Sequence, residues 1–160
     1  MREQGNFLGK VYFVVFLSIL VWHMTLLLLA WESIPSEIGI HYTDGKPDGY
    51  GPKYVLFLLP IISLITWVSL GFAKRHPDKL NYLNLTEHNK ETQYVKGKQM
   101  MVHLQFFTAL SIIFMNEAFL KEAVGEDHTI QLTIAVILIG ICVLIPFSYM
   151  VWSVRLKDSR

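Results

Sequence analysis

The sequence predicts an all-α, polytopic membrane protein. It has four transmembrane helices, both termini on the cytoplasmic side, and an ordered extracytoplasmic loop between helices 1 and 2. Three observations carry this. Apolar residues make up 52% of the 160-residue chain, and its charges fall in short blocks instead of being spread along it. Between the blocks lie four apolar runs, each near the ~20 residues that cross a ~30 Å hydrocarbon core. Finally, Lys and Arg are distributed very unequally between the two sides that four crossings define. A soluble core of this size would need a polar face on every helix, and several of these runs have none.

The first span, approximately residues 11–31 (VYFVVFLSILVWHMTLLLLAW), holds no Asp, Glu, Lys or Arg. It is too long for a signal-peptide core and is followed by WESIP rather than a small-residue cleavage site, so it reads as a retained helix. The second, residues 54–73, contains Pro60, which removes a backbone donor and predicts a kink. The third, residues 100–120, carries His103, Gln105, Asn116 and Glu117. Such groups in a span should turn toward protein or the interface, and the run Phe106 to Met115, apolar on all sides of the helix, favours a span over a soluble amphipathic helix. The fourth, residues 130–152, has Pro146 near its end.

Orientation follows from the basic residues. Eleven (Arg2, Lys10, Lys74, Arg75, Lys79, Lys90, Lys96, Lys98, Arg155, Lys157 and Arg160) fall on one side, and three (Lys46, Lys53 and Lys121) on the other. The positive-inside rule then places both termini and the 74–99 loop in the cytoplasm and the 32–53 loop outside. Tyr12, Trp31, Tyr54, Tyr149 and Trp152 sit at span ends, where amphipathic rings settle among headgroups. In the basic loop, Asn84 with Glu87 three residues on predicts a cap for a helix running into the third span. The chain reads as a single four-span domain, with no internal repeat. Gly71, Ala109 and Gly140 are small residues suited to close helix packing.

A formal net charge of +1 leaves no electrostatic footprint for nucleic acid. A lone cysteine, Cys142, excludes an intrachain disulfide or a cysteine cluster and reads as a small buried apolar residue. The sequence has no nucleophile elbow, HExxH or phosphate-binding glycine loop, which argues against an enzyme. No cofactor or metal is expected.

The 32–53 loop is longer than a plain connector needs to be. Pro35 ends the first helix by restricting Ile34. EIGIHYT then alternates as a short strand, with Ile38, Ile40 and Tyr42 on one side. Two Asp-Gly pairs, Asp44-Gly45 and Asp48-Gly49, predict two successive tight turns joined by Pro47, with Gly51 following. The whole predicts a folded cap on the helix ends, with Ile38, Ile40 and Tyr50 facing down.

The segment IPSEIGIHYTDGKPDGYGPK, followed by an apolar span, resembles the signature of a bacterial membrane family described as a domain of unknown function. The same segment forms the N-terminal half of SdpI-type immunity proteins, which protect a Gram-positive producer from its own secreted toxin. The matching positions are Ile34, Pro35, Ile38, His41, Gly45, Pro47, Asp48, Gly51 and Lys53, within about residues 30–65. SdpI-like proteins resemble six-span molecules, whereas four spans are read here. The resemblance implies a bacterial cell-membrane protein with a signalling or self-protection role.

Candidate contact residues for a ligand or partner are His41, Asp44, Asp48 and Lys53 on the loop, weighed against purely structural turn roles. Pro35, Gly45, Pro47, Gly49 and Gly51 shape it. Within the spans, His23, Asn116 and Glu117 are polar groups that a membrane protein retains for function or for interhelical hydrogen bonding. Glu117 is a candidate partner of Lys53 or a loop amide. The function expected from these residues is non-enzymatic sensing of, or protection against, an envelope-directed molecule. The alternative is a small transporter or transporter subunit using His23 and Glu117. The partners expected are the lipid bilayer and a secreted peptide or another membrane protein.

Overall fold

The computed structural model describes residues 2–156, with side chains from residue 7 onward. Of the basic residues counted above, Lys157, Arg160 and the side chain of Arg2 lie outside the described residues. The described residues form four helices long and apolar enough to cross a membrane, together with one small two-stranded sheet. The helices are α1 (Arg2–Ala30), α2 (Leu58–Arg75), α3 (Lys90–Ala123) and α4 (Thr129–Arg155). The strands β1 (Glu37–Thr43) and β2 (Lys46–Pro52) lie between α1 and α2 and pair antiparallel.

Helix α3 is the centre of the bundle. The main helix–helix contacts run from α1, α2 and α4 onto it. Its length of 34 residues reaches well beyond the predicted span toward the basic end. Two apolar clusters stack along it. Phe16, Leu20, Phe106, Ala109, Leu110 and Ile113 fill the middle, where the Trp67 ring stacks on Phe16 at 4.2 Å between centroids. Leu27, Ile34, Ile38, Leu56 and Leu120 fill the hairpin end, so the sheet shares a core with the helices. The outward faces of α1, α2 and α4 carry exposed Val14, Leu28, Ile65, Val68, Val136, Ile137, Val143 and Leu144. Such a belt is unstable in water and is what hydrocarbon accommodates.

The polar residues that the sequence places within the third span turn toward protein, as predicted. Gln105 is buried and donates to the Trp67 carbonyl on α2 (2.7 Å), while its Oε1 accepts from Lys74 Nζ (2.9 Å). His103 Nδ1 meets the Tyr12 hydroxyl of α1 at 3.0 Å. Ser63 of α2 donates to the Ala109 carbonyl at 2.8 Å. In a medium without water, such bonds replace hydrophobic association as the interhelical glue.

Several expectations are corrected. Pro60 introduces no interior break, because a 3-10 turn (Lys53–Phe57) precedes α2 and places Pro60 in its first turn. There its missing donor has no intrahelical acceptor to lose. The Asn84/Glu87 cap does not form. Asn84 has φ +53° and leads a turn, and α3 starts at Lys90, where Thr86 and Asn89 exchange side-chain to backbone bonds of 2.9 and 3.3 Å. Gly71 and Ala109 lie at helix contacts, but Gly140 faces outward with nothing within 4 Å of a Cβ built on it. The basic loop is pinned by Gln93, fully buried, which donates to the Leu83 carbonyl (2.9 Å) and accepts from Tyr149 and Ser153 of α4 (3.1 Å each).

Candidate functional site

On α1 the buried positions Phe16, Leu20, His23 and Leu27 recur at helical spacing, forming one stripe that faces α3. His23 is therefore placed inward by the same pattern that builds the core, and only 1% of it is exposed. Adjacent residues of α3 bracket its ring. Its Nδ1 pairs with a carboxylate oxygen of Glu117, and its Nε2 lies 2.7 Å from the Asn116 amide nitrogen. That nitrogen also donates to the Leu56 carbonyl at 2.8 Å. Leu56 belongs to the 3-10 turn at the foot of β2. An amide nitrogen only donates, so Nε2 carries the lone pair here and Nδ1 carries the hydrogen given to Glu117. The ring is held as the neutral Nδ1–H tautomer. Asn116 Oδ1 is buried with no hydrogen-bond partner among the described residues.

The hairpin is built around one tight turn rather than two. Asp44 (φ +51°) and Gly45 (φ +73°) occupy its centre, the pair of left-handed residues that matches strand twist. Asp48-Gly49 lies inside β2 instead, with Gly49 opposite His41. A Cβ at Gly49 would approach His41 Cβ to 3.0 Å, so the glycine serves close strand pairing. Register shifts flank His41. They leave Ile40 without a cross-strand partner and break the alternation there, so Ile38 is buried while Ile40 is 50% exposed; Tyr50, opposite Gly39, lies on the other face from Ile38 and is 61% exposed.

Of the predicted loop residues, His41 and Asp48 meet on the exposed face. His41 Nδ1 contacts one carboxylate oxygen, and the Thr43 hydroxyl donates to the other at 2.5 Å. The Thr43 and then the His41 hydrogen bond hold the Asp48 carboxyl below its ordinary range. Asp44 stands apart in the turn. Lys53 points the other way, donating to the Trp31 and Ile34 carbonyls at 2.8 and 3.3 Å. It therefore closes the end of α1, while Glu117 is paired with His23.

Between the hairpin and the end of α3 lies a cavity of about 180 Å³, lined by Pro35, Glu37, Ile38, Gly39, Tyr42, Pro47, Phe119, Glu122 and Ala123. The Tyr42 ring stacks on Phe119 at 6.4 Å between centroids, and its hydroxyl donates to the Gly39 carbonyl. Burial, and then Glu122 beside it, push the Tyr42 hydroxyl up to about 12. Two carboxylates and two aromatic faces, with no basic side chain among the lining residues, suit a cationic group.

Residues 13–64 match the family model described as a domain of unknown function, DUF1648. No curated protein and no solved structure matches the chain. The matched segment contains His23, the hairpin and Leu56, but not Asn116 or Glu117 of α3. The sequence marks Tyr42 only as a strand residue on the side of Ile38, and it gives Phe119 and Glu122 no role. Their signal is faint, because an aromatic residue in a short strand and a glutamate at a helix end occur in most proteins.

Proposed function

We propose that the chain is a non-enzymatic bacterial membrane protein of the SdpI-related kind, with both termini cytoplasmic. Its hairpin senses or shields against an envelope-directed molecule, foremost a cationic peptide. The observation that carries this reading is the acid-lined cavity at the seam of hairpin and α3. It joins an external, folded element to the helix that contacts every other helix. His41 and Asp48, exposed on the same hairpin, are further contact candidates. The basic-residue asymmetry supports the orientation, and the SdpI resemblance of the hairpin supports the self-protection role.

The test is expression in a sensitive strain challenged with a panel of secreted cationic peptide toxins. Survival should rise with the intact protein and fall back with Glu122→Gln. Unchanged survival across the panel, with membrane insertion verified, overturns the reading.

A second reading, transport, is favoured by the buried pairing of His23 with Glu117, since intramembrane ionisable pairs serve as coupling groups in carriers. Uptake into vesicles that is lost in His23→Ala would establish it in place of the first.

A further inference from the structure

Asn116 uses both amide hydrogens, one toward His23 Nε2 and one on the Leu56 carbonyl, while its own oxygen, on a residue 1% exposed, has no partner among the described residues. A buried acceptor without a donor is unfavourable and asks for a donor to arrive. This acceptor belongs to the side chain that already touches the free lone pair of the histidine.

We propose that His23, Glu117 and Asn116 form a proton-binding site, and that rotation of the Asn116 amide passes its loading to the hairpin. A proton taken from water adds to the Nε2 lone pair. The other hydrogen stays on Nδ1, still donated to the Glu117 carboxylate, so the doubly protonated ring and the carboxylate become an ion pair. The new Nε2–H then faces the hydrogens of Asn116 Nδ2, donor against donor. A half-turn of the amide about its Cβ–Cγ bond brings Oδ1 onto Nε2–H and gives that oxygen its missing donor. The same half-turn carries Nδ2 away from Leu56, whose carbonyl now meets lone pairs. Each state leaves a different polar group unmet, which is what a two-state element requires.

The link to the hairpin is short. Leu56 stands in the turn that follows β2, and its side chain packs with Ile34 and Ile38 in one apolar cluster. Loss of its bond to α3 frees the foot of the sheet. The surroundings hold few competing charges. Lys53, in the same turn, is engaged by the Trp31 and Ile34 carbonyls. Lys121, one turn beyond Glu117, pairs with Glu126, and Glu122 sits beside Tyr42. Within their described residues, α2 and α4 carry charge only at Lys74, Arg75 and Arg155, at the far end. The Glu117 side chain is 12% exposed against 2% for His23, so the carboxylate edge is the more open route to the ring. The proposal is independent of what the hairpin binds.

The experiment is nitrogen-15 spectroscopy of the histidine rings, with hydrogen exchange of the hairpin, on the whole protein in nanodiscs from about pH 8 to about pH 5. His23→Gln identifies the His23 signals. It also serves as the reference for the hairpin, because His41 remains in place. In the wild type, His23 should pass from the Nδ1–H tautomer to the doubly protonated ring. Over the same range, intrinsic-rate-corrected exchange at Lys53, whose amide is bonded to Ser36, should quicken by roughly tenfold. His23→Gln should lose that step. Should His23→Gln fail to insert, Asn116→Leu replaces it as reference: its ring still titrates but the exchange step disappears. A ring that stays neutral throughout, or one that protonates with no exchange step beyond that of the reference, overturns the proposal.

Discussion

Lys53 reaches back across the whole hairpin to Trp31, donating to its carbonyl at 2.8 Å while its ammonium lies 4.3 Å from the indole centroid. One side chain thereby closes the end of α1 and ties the first residue after β2 to the last turn before β1. Replacing it with Met removes the charge-assisted bonds and the cation–π contact but keeps the apolar stem. A loss of roughly 1–3 kcal/mol is expected. Thermal unfolding in detergent, read by tryptophan fluorescence, measures it.

The turn at Asp44-Gly45 predicts opposite outcomes for two substitutions. Gly45→Val forces a β-branched residue to φ +73° and should destabilise the hairpin by roughly 1–3 kcal/mol. Asp44→Asn puts a residue tolerant of positive φ at φ +51° and should leave stability nearly unchanged. Hydrogen exchange across residues 37–52 distinguishes them.

Two glycines in spans predict a contrast in packing. A Cβ at Gly71 would come within 2.8 Å of Gln105 Nε2, so Gly71→Leu must displace the bonds from Gln105 to Trp67 and from Lys74 to Gln105. A cost of about 2–4 kcal/mol follows from overpacking and a buried polar group left unpaired. Gly140→Leu points into open space and should be neutral. The unfolding midpoint in a denaturing-detergent titration reads both.

Acid should open the clasp on the hairpin face. The folded Asp48 carboxyl titrates below its ordinary 3.8. Its contribution is therefore present above the unfolded value and is lost as pH falls through the folded one. The Thr43 and His41 resonances should shift together on acidification below about pH 4, and Asp48→Asn should abolish the coupled shift.

How much of this was legible depended on the range of the interaction. The four helices announce themselves because an uncharged run such as Val11 to Trp31 has only one stable place to go. The inward turn of Gln105, Asn116 and Glu117 was legible for the same reason. Their partners were not, since Trp67, Leu56 and His23 stand 38, 60 and 94 residues away. In the hairpin, alternation revealed β1, and Asp44-Gly45 revealed the turn. The second Asp-Gly pair misled because strand pairing with His41 overrode local turn preference; the irregular register sent Ile40 outward, and pairing with Gly39 put Tyr50 on the face away from Ile38. The Lys53–Glu117 pairing failed because carbonyls at the end of α1 were nearer claimants for the ammonium.

The central position of α3 has a consequence for biogenesis. Synthesis proceeds from the N-terminus, so α1 and α2 enter the bilayer before the helix they will grip exists. Until it arrives, His23 waits in lipid without Glu117 or Asn116, and Ser63 without its acceptor on Ala109. The first half of the polypeptide is thus a nascent client, and the third insertion event is the one that turns separate spans into a protein.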